Sequence, residues 1–341
     1  MKKQQVIVRV DIKNYVTGEV LMAEAQSIPK AFIWKRLHSL TGLFLTLYII
    51  EHLLVNSQAA LFIGEDGWGF VKGVNNIHDL PYLPFIELFL LGIPILIHMY
   101  WGIIYLRTSQ QNYYNGNGSR PYFPDNPRNR AYTWQRITSW ILLVGIIAHV
   151  IHMRFIEYPS TASLGDTKNY MIRLNRDPGL YSLAARMGFD IYDRERISEI
   201  KKEMQKPMEE EVLGKPAEDH HSEAIKKQKW NQEEKWLHTL ELPLLKPDQV
   251  VAVTKSFGLA ELLMVRDTFK KPIMLALYTI LVLSACFHGF NGLWTFMISW
   301  GVTLTETSQR FMHKIATGLM ILVAFLGLSA IWITYWINLK Q

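Results

Sequence analysis

Cysteine is almost missing from this chain: Cys286 is the only one in 341 residues. An internal disulfide needs two, covalent haem attachment needs a CxxCH pair, and an iron–sulfur cluster held by this chain alone needs more still. All three are excluded. Charge is scarce as well. Asp, Glu, Lys and Arg make up 19% of the residues, below the ~25% usual in soluble domains. No Gly-rich flavin-binding fingerprint is present. The net charge of +6 does not gather into a basic stripe interleaved with aromatics, which argues against nucleic acid. The cations stand beside apolar runs, the habit of a membrane protein. The opening stretch, MKKQQVIVRVDIKNYVTGE, has no apolar core, so no cleaved signal peptide is expected.

What is abundant is apolar. The chain is 49% hydrophobic, with 11 Trp, 15 Tyr and 16 Phe. Its mean hydropathy is only +0.06, so several spans must be offset by a polar part. Five windows reach the ~20 residues that a bilayer-crossing helix needs. They are span I, Leu37–Val55; span II, Pro84–Leu106, with Pro94 a tolerated kink; span III, Trp134–Ile156; span IV, Pro272–Ile298; and span V, Ile315–Trp336. The predicted fold class is an all-α integral membrane protein, a five-helix bundle. Its organisation reads as an inner N-terminal segment (1–30), spans I–III (31–156), a polar insertion outside the membrane (157–270, partly helical) and spans IV–V (271–341). Within the insertion lie a charged helical stretch (Arg194–Lys206), a KKQKWNQEEKW run and an EDHHSE run (Glu218–Glu223). The EDHHSE run reads as a solvated turn rather than a metal site, since no second ligand cluster stands at a recognisable spacing.

Loop charges give an orientation. The N-terminal side carries Lys30, Lys35 and Arg36. The II–III loop carries Arg107, Arg120, Arg128, Arg130 and Arg136 against Asp125. The IV–V connection and the start of V carry Arg310 and Lys314. The I–II loop is acidic, with Glu65, Asp66 and Asp79 against Lys72. The positive-inside rule places the N-terminus, the II–III loop and the IV–V loop in the cytoplasm, and the insertion and C-terminus outside.

Histidines stand inside four of the five spans: His52 in I, His98 in II, His149 and His152 in III, and His288 in IV. Ionisable residues within a span are functional candidates by default. At 1.5 Å rise per residue, His52 and His149 lie ~6 and ~12 Å from the outer end of their spans, and His98 and His288 ~21 and ~25 Å. That makes an outer pair on I and III and an inner pair on II and IV, separated by roughly 12–15 Å. Spacing does not choose between His149 and His152, which share a helical face. Two pairs at two depths suit two bis-imidazole haems, whose propionates need cations. Arg36, Arg136, Arg310 and Lys314 stand at the inner side. The competing readings are four unrelated histidines bonded to backbone carbonyls, or a transporter that uses buried His and Glu without haem.

The text around these histidines narrows the choice. WKRLHSLTGLFLTLYIIEHLLVN, LPFIELFLLGIPILIHMYWGI, QRITSWILLVGIIAHVIHMR and FHGFNGLWTFMISWGVT together resemble the di-haem cytochrome b subunit of succinate dehydrogenase and fumarate reductase. The likeness is to the single-polypeptide, five-helix type found with menaquinone. It covers Phe32–Arg154 and Phe257–Lys314, and span V more loosely. The resemblance implies that His52 and His149 hold an outer (distal) haem b and that His98 and His288 hold an inner (proximal) one. It thereby selects His149 over His152. His38, the histidine of RLHS, is implied near the inner propionates or the iron–sulfur partner rather than on iron. A flavoprotein and an iron–sulfur protein are implied on the cytoplasmic face, and menaquinone near the outer side. Quinone chemistry also needs protons, and a carboxylate near the outer haem can handle them. Glu87, one turn inside span II, leads Glu51 and Asp79 for that role. The departure from the family is the long III–IV insertion, of which only FGLAELLMVRDTF looks familiar. Asn291-Gly292, after His288, allows either a close backbone approach to a haem or simple small-residue packing.

Overall fold

The computed structural model describes residues 28–61, 65–108, 127–212, 220–242 and 244–340. Five helices are long and apolar enough to cross a membrane: Lys30–Ser57, Leu83–Thr108, Arg128–Ile156, Pro272–Ser299 and Glu306–Ile337, hereafter spans I to V. Apolar side chains surround each one, as a lipid environment requires. Leu96, Val144 and Ile321 point outward, while Leu53, Val282, Cys286, Phe290, Val323 and Ile331 form the core between helices. Span IV is central and packs against I, III and V; span I also packs against II and V. Small residues set the approach of these helices. A methyl group on Gly327 of span V would lie 2.7 Å from Val282 of span IV. Thr46 of span I reaches the Gly289 carbonyl of span IV at 3.3 Å.

Span V begins at Glu306, earlier than hydropathy alone suggested. The polar first turns continue the helix, with Arg310 paired to Glu306 at 2.7 Å. In span II the irregularity is a π-helical stretch, Leu88–Gly92, directly ahead of Pro94. Proline has no N–H to give to the carbonyl four residues back, so the local ladder rearranges. A second π stretch, Ile151–Ile156, ends span III just past His149.

The five-helix reading of the bundle holds. The segment between spans III and IV, read from sequence as partly helical, also carries a sheet. Strands β1 (Ser160–Leu164), β2 (Thr167–Asn175), β3 (Asp190–Tyr192) and β4 (Gln249–Thr254) pair antiparallel in the order β1-β2-β4-β3. Strand β4, QVVAVT, is buried from Val250 to Thr254. Its side chains alternate between two cores. Val250 and Ala252 join Ile172, Leu174, Leu180, Leu183, Leu259 and Leu262 on one face. Val251 and Val253 join Met171, Ile197, Trp236 and Leu240 on the other. The charged runs thus become helices Arg194–Val212 and His220–Glu241, and Trp236 of the KKQKWNQEEKW run is buried against the sheet. The EDHHSE run lies outside the described side chains.

Helix Phe257–Thr268 joins this unit to the bundle by packing on both the sheet and helix Trp68–His78 of the I–II connection. Ser256 caps it by accepting from the Leu259 N–H, and Asn75 of the facing helix accepts from the Gly258 N–H at 2.8 Å. Asp66 and Arg186 form a two-point ion pair at 2.7 and 3.0 Å across the same junction. Gly258 allows the contact, since a Cβ there would stand 2.4 Å from the Val71 carbonyl oxygen. Two backbones cannot both yield to such an overlap. Gly258→Ala should therefore loosen the outer unit by about 1–3 kcal/mol, seen as faster proteolysis of the III–IV segment with the spans intact; unchanged resistance contradicts the packing.

On the same helix, burial pushes the Glu261 carboxyl up to about 7, the Arg154 guanidinium pulling part of the way back. Its Oε1 is buried without a hydrogen-bond partner. A raised carboxylic acid binds its proton more tightly in the folded state, so the folded state loses stability as pH rises from 4.5 to about 7 and then levels off. Asp66, held low by its hydrogen bond to Arg186, acts the opposite way and only near and below its ordinary 3.8. The outer unit should resist protease better at pH 5 than at pH 8, and Glu261→Gln should flatten that dependence; an unchanged slope in the variant removes Glu261 as its source.

Candidate haem-binding histidine pairs

The bundle brings the span histidines together in twos. The rings of His98 and His288 have centroids 6.1 Å apart with planes at 82°. The rings of His52 and His149 also stand 6.1 Å apart, with planes at 76°. A metal bound between two imidazoles needs two bonds of about 2 Å, plus about 1 Å from each nitrogen to its ring centre, or about 6 Å in all. Both pairs fit that requirement.

Hydrogen bonding decides which nitrogen is available. His98 Nδ1 lies 3.0 Å from the His38 carbonyl. A carbonyl only accepts, so Nδ1 carries the hydrogen and Nε2 keeps a bare lone pair. His288 Nδ1 lies 3.4 and 3.5 Å from the hydroxyls of Ser139 and Thr138. Those hydroxyls already donate, to the Gln135 carbonyl at 2.6 Å and the Trp134 carbonyl at 2.8 Å, so toward His288 they accept. His149 Nδ1 meets the Tyr278 hydroxyl at 3.1 Å, and His52 Nδ1 the Tyr48 hydroxyl at 3.4 Å. Among the described residues no hydrogen bond falls on Nε2 of any of the four. Anchored Nδ1 with free Nε2 is the arrangement that metal-binding histidines adopt.

The local packing supports each ring. Gly42 of span I leaves room for His98: a Cβ there would stand 2.9 Å from its ring. His38 stacks on His98, centroids 4.1 Å apart and planes at 12°, and meets Tyr105 edge-on at 5.2 Å. Gln135 donates to the His288 carbonyl at 3.1 Å and accepts from Asn291 at 2.8 Å. Asn291 thus ties III to IV. Gly292 makes only ordinary contact, its nearest neighbour being Gln135 at 3.9 Å, while the close approach falls at Gly289.

The cations expected to meet the haem propionates are dispersed. Arg36 lies over the rings of Phe32 (4.0 Å) and Trp300 (5.5 Å), Arg136 over Tyr132 (5.5 Å), and Lys314 is exposed. Of the outer carboxylates, Glu51 and Glu87 both lie within electrostatic reach of Tyr48, the neighbour of His52. All three carboxylates are exposed, and Asp79 is not among the charges that act on Tyr48. Tyr48, Thr138, Ser139, Gln135 and Tyr278 escaped the sequence reading. Only Tyr48 had a local signal, standing four residues before His52 on the same helical face; the rest reach their histidines from other spans.

No family model and no solved structure matches the chain. A relative does: the chain is 23% identical over 303 residues to the succinate dehydrogenase cytochrome b558 subunit of Bacillus subtilis (strain 168), a match that takes in 89% of this chain and 96% of the relative. The likeness to the cytochrome b membrane subunit of succinate dehydrogenase, carried at first by four histidine-bearing motifs, thus extends along nearly the whole chain, and the five membrane-spanning helices agree with it.

Proposed function

We propose that this chain is the membrane anchor and electron-transfer subunit of a succinate:menaquinone oxidoreductase, or of a fumarate reductase running the opposite reaction. The observation that carries the reading is the twofold pairing of imidazoles at 6.1 Å, each with its Nδ1 engaged and its Nε2 free. His98 and His288 would hold an inner haem b, and His52 and His149 an outer one. When bound, haem b supplies one-electron transfer between the iron–sulfur centres of a partner subunit and quinone in the membrane. The chain's own residues do the rest. The four histidines would hold the iron through Nε2, while Leu, Ile and Phe of the spans exclude water from the interior. Arg36, Arg136 and Lys314 supply positive charge on the inner side, beside which His38 stacks on His98. A flavoprotein and an iron–sulfur protein dock on the cytoplasmic face and carry the dicarboxylate chemistry, for which this chain has no flavin or cluster motif.

Reducing a quinone consumes protons as well as electrons. Glu87 and Glu51, near Tyr48 at the outer end, are placed to deliver them, with Asp79 farther out. The loop charges set the N-terminus in the cytoplasm and the III–IV unit outside, so that protons exchange on the outer side.

Replacing His98 and His288 together should abolish one b-type component of the reduced visible spectrum and leave the other; a spectrum unchanged in both components contradicts the inner-pair assignment. Glu87→Gln should slow quinone turnover by about 10²–10⁴-fold with haem content unchanged; full turnover in that variant removes Glu87 from the proton path.

A further inference from the structure

One tyrosine of span IV serves two histidines of span III. The Tyr278 hydroxyl lies 3.1 Å from Nδ1 of His149 and 3.5 Å from Nδ1 of His152. Its ring meets His149 edge-on, with centroids 5.6 Å apart at 80°, and is itself braced edge-on by Phe269 at 5.3 Å and 90°. We propose that Tyr278 is a positioning residue that assigns iron ligation to His149 and a supporting role to His152. The inference rests on the proposed pairing of His52 with His149.

The hydrogens can be placed one by one. A His149 that binds metal through Nε2 carries its hydrogen on Nδ1, which then donates to the Tyr278 oxygen. A tyrosine hydroxyl has one hydrogen of its own, which is then free to point at His152 Nδ1. That nitrogen accepts, and His152 keeps its hydrogen on Nε2. The result is a single directed chain, His149 to Tyr278 to His152, with every group in a role that its chemistry allows. Running the chain backward makes His152 the ligand. The geometry opposes this, because His149 holds the shorter bond to Tyr278 and its ring is the one 6.1 Å from His52.

The chain has a consequence for the metal. An imidazole whose Nδ1–H is given to an oxygen is a stronger electron donor through Nε2, which favours the oxidised metal. His152, by accepting from Tyr278, makes the tyrosine oxygen a better acceptor in turn. The inner pair has separate partners, the His38 carbonyl on span I and the Ser139 and Thr138 hydroxyls on span III. It serves as an internal reference.

The test is a redox titration of the assembled complex, followed by visible absorption and electron paramagnetic resonance. Tyr278→Phe removes the hydroxyl and keeps the ring that packs on Phe269. The expected result is a positive shift in midpoint potential, with an altered resonance, for one haem component only; loss of that component with the other retained supports the proposal equally. His152→Leu should shift the same component in the same direction by less, with both haems retained. His149→Ala should remove that component outright. Unchanged potentials and resonances in Tyr278→Phe overturn the positioning role, and loss of the outer haem in His152→Leu overturns the assignment of His149. Retention of both components in His149→Ala instead defeats the ligand reading on which the proposal stands.

Discussion

The structure turns on four imidazoles that are each held by one ring nitrogen and left bare at the other, facing one another in twos across the interior of a helix bundle. A free imidazole nitrogen inside an apolar bundle is costly unless something binds it. Everything close to the pairs serves to fix them. Gly42 opens the space for His98, and His38 stacks on its ring and takes its hydrogen bond on the backbone carbonyl. Thr138 and Ser139 spend their hydroxyl hydrogens on their own helix, which leaves their oxygens to receive His288. Span IV touches I, III and V, and contributes a histidine to the inner pair and a tyrosine to the outer one.

The outer unit answers a different constraint. A polar segment of this length takes one fixed shape only with a core of its own. Strand β4 provides it, with alternating residues feeding two apolar layers. The unit then grips the bundle through backbone contact at Gly258, the Asn75 bond and the Asp66–Arg186 pair. These contacts concentrate at helices Trp68–His78 and Phe257–Thr268, which also touch spans I and V.

Much of the bundle was legible in the sequence because a membrane imposes long uninterrupted apolar windows, and because histidines within them are few. Rise per residue grouped His52 with His149 and His98 with His288, and the rings of each group meet in the structure. What stayed hidden came from contacts between distant segments. Tyr278 stands 129 residues from His149, and Ser139 149 residues from His288. The sheet was missed because QVVAVT is short and buried on both faces, so it shows no alternation of polar and apolar residues. The start of span V was set too late because its first turns are polar and held by Arg310 and Glu306.

The account can be judged most directly by counting. Non-covalent haem b extracted from the purified complex, counted relative to this chain and apart from the iron of the iron–sulfur partner, should give two per copy. A chain that is colourless and free of iron after expression with ample haem supply contradicts the account and leaves the paired histidines to a transport role.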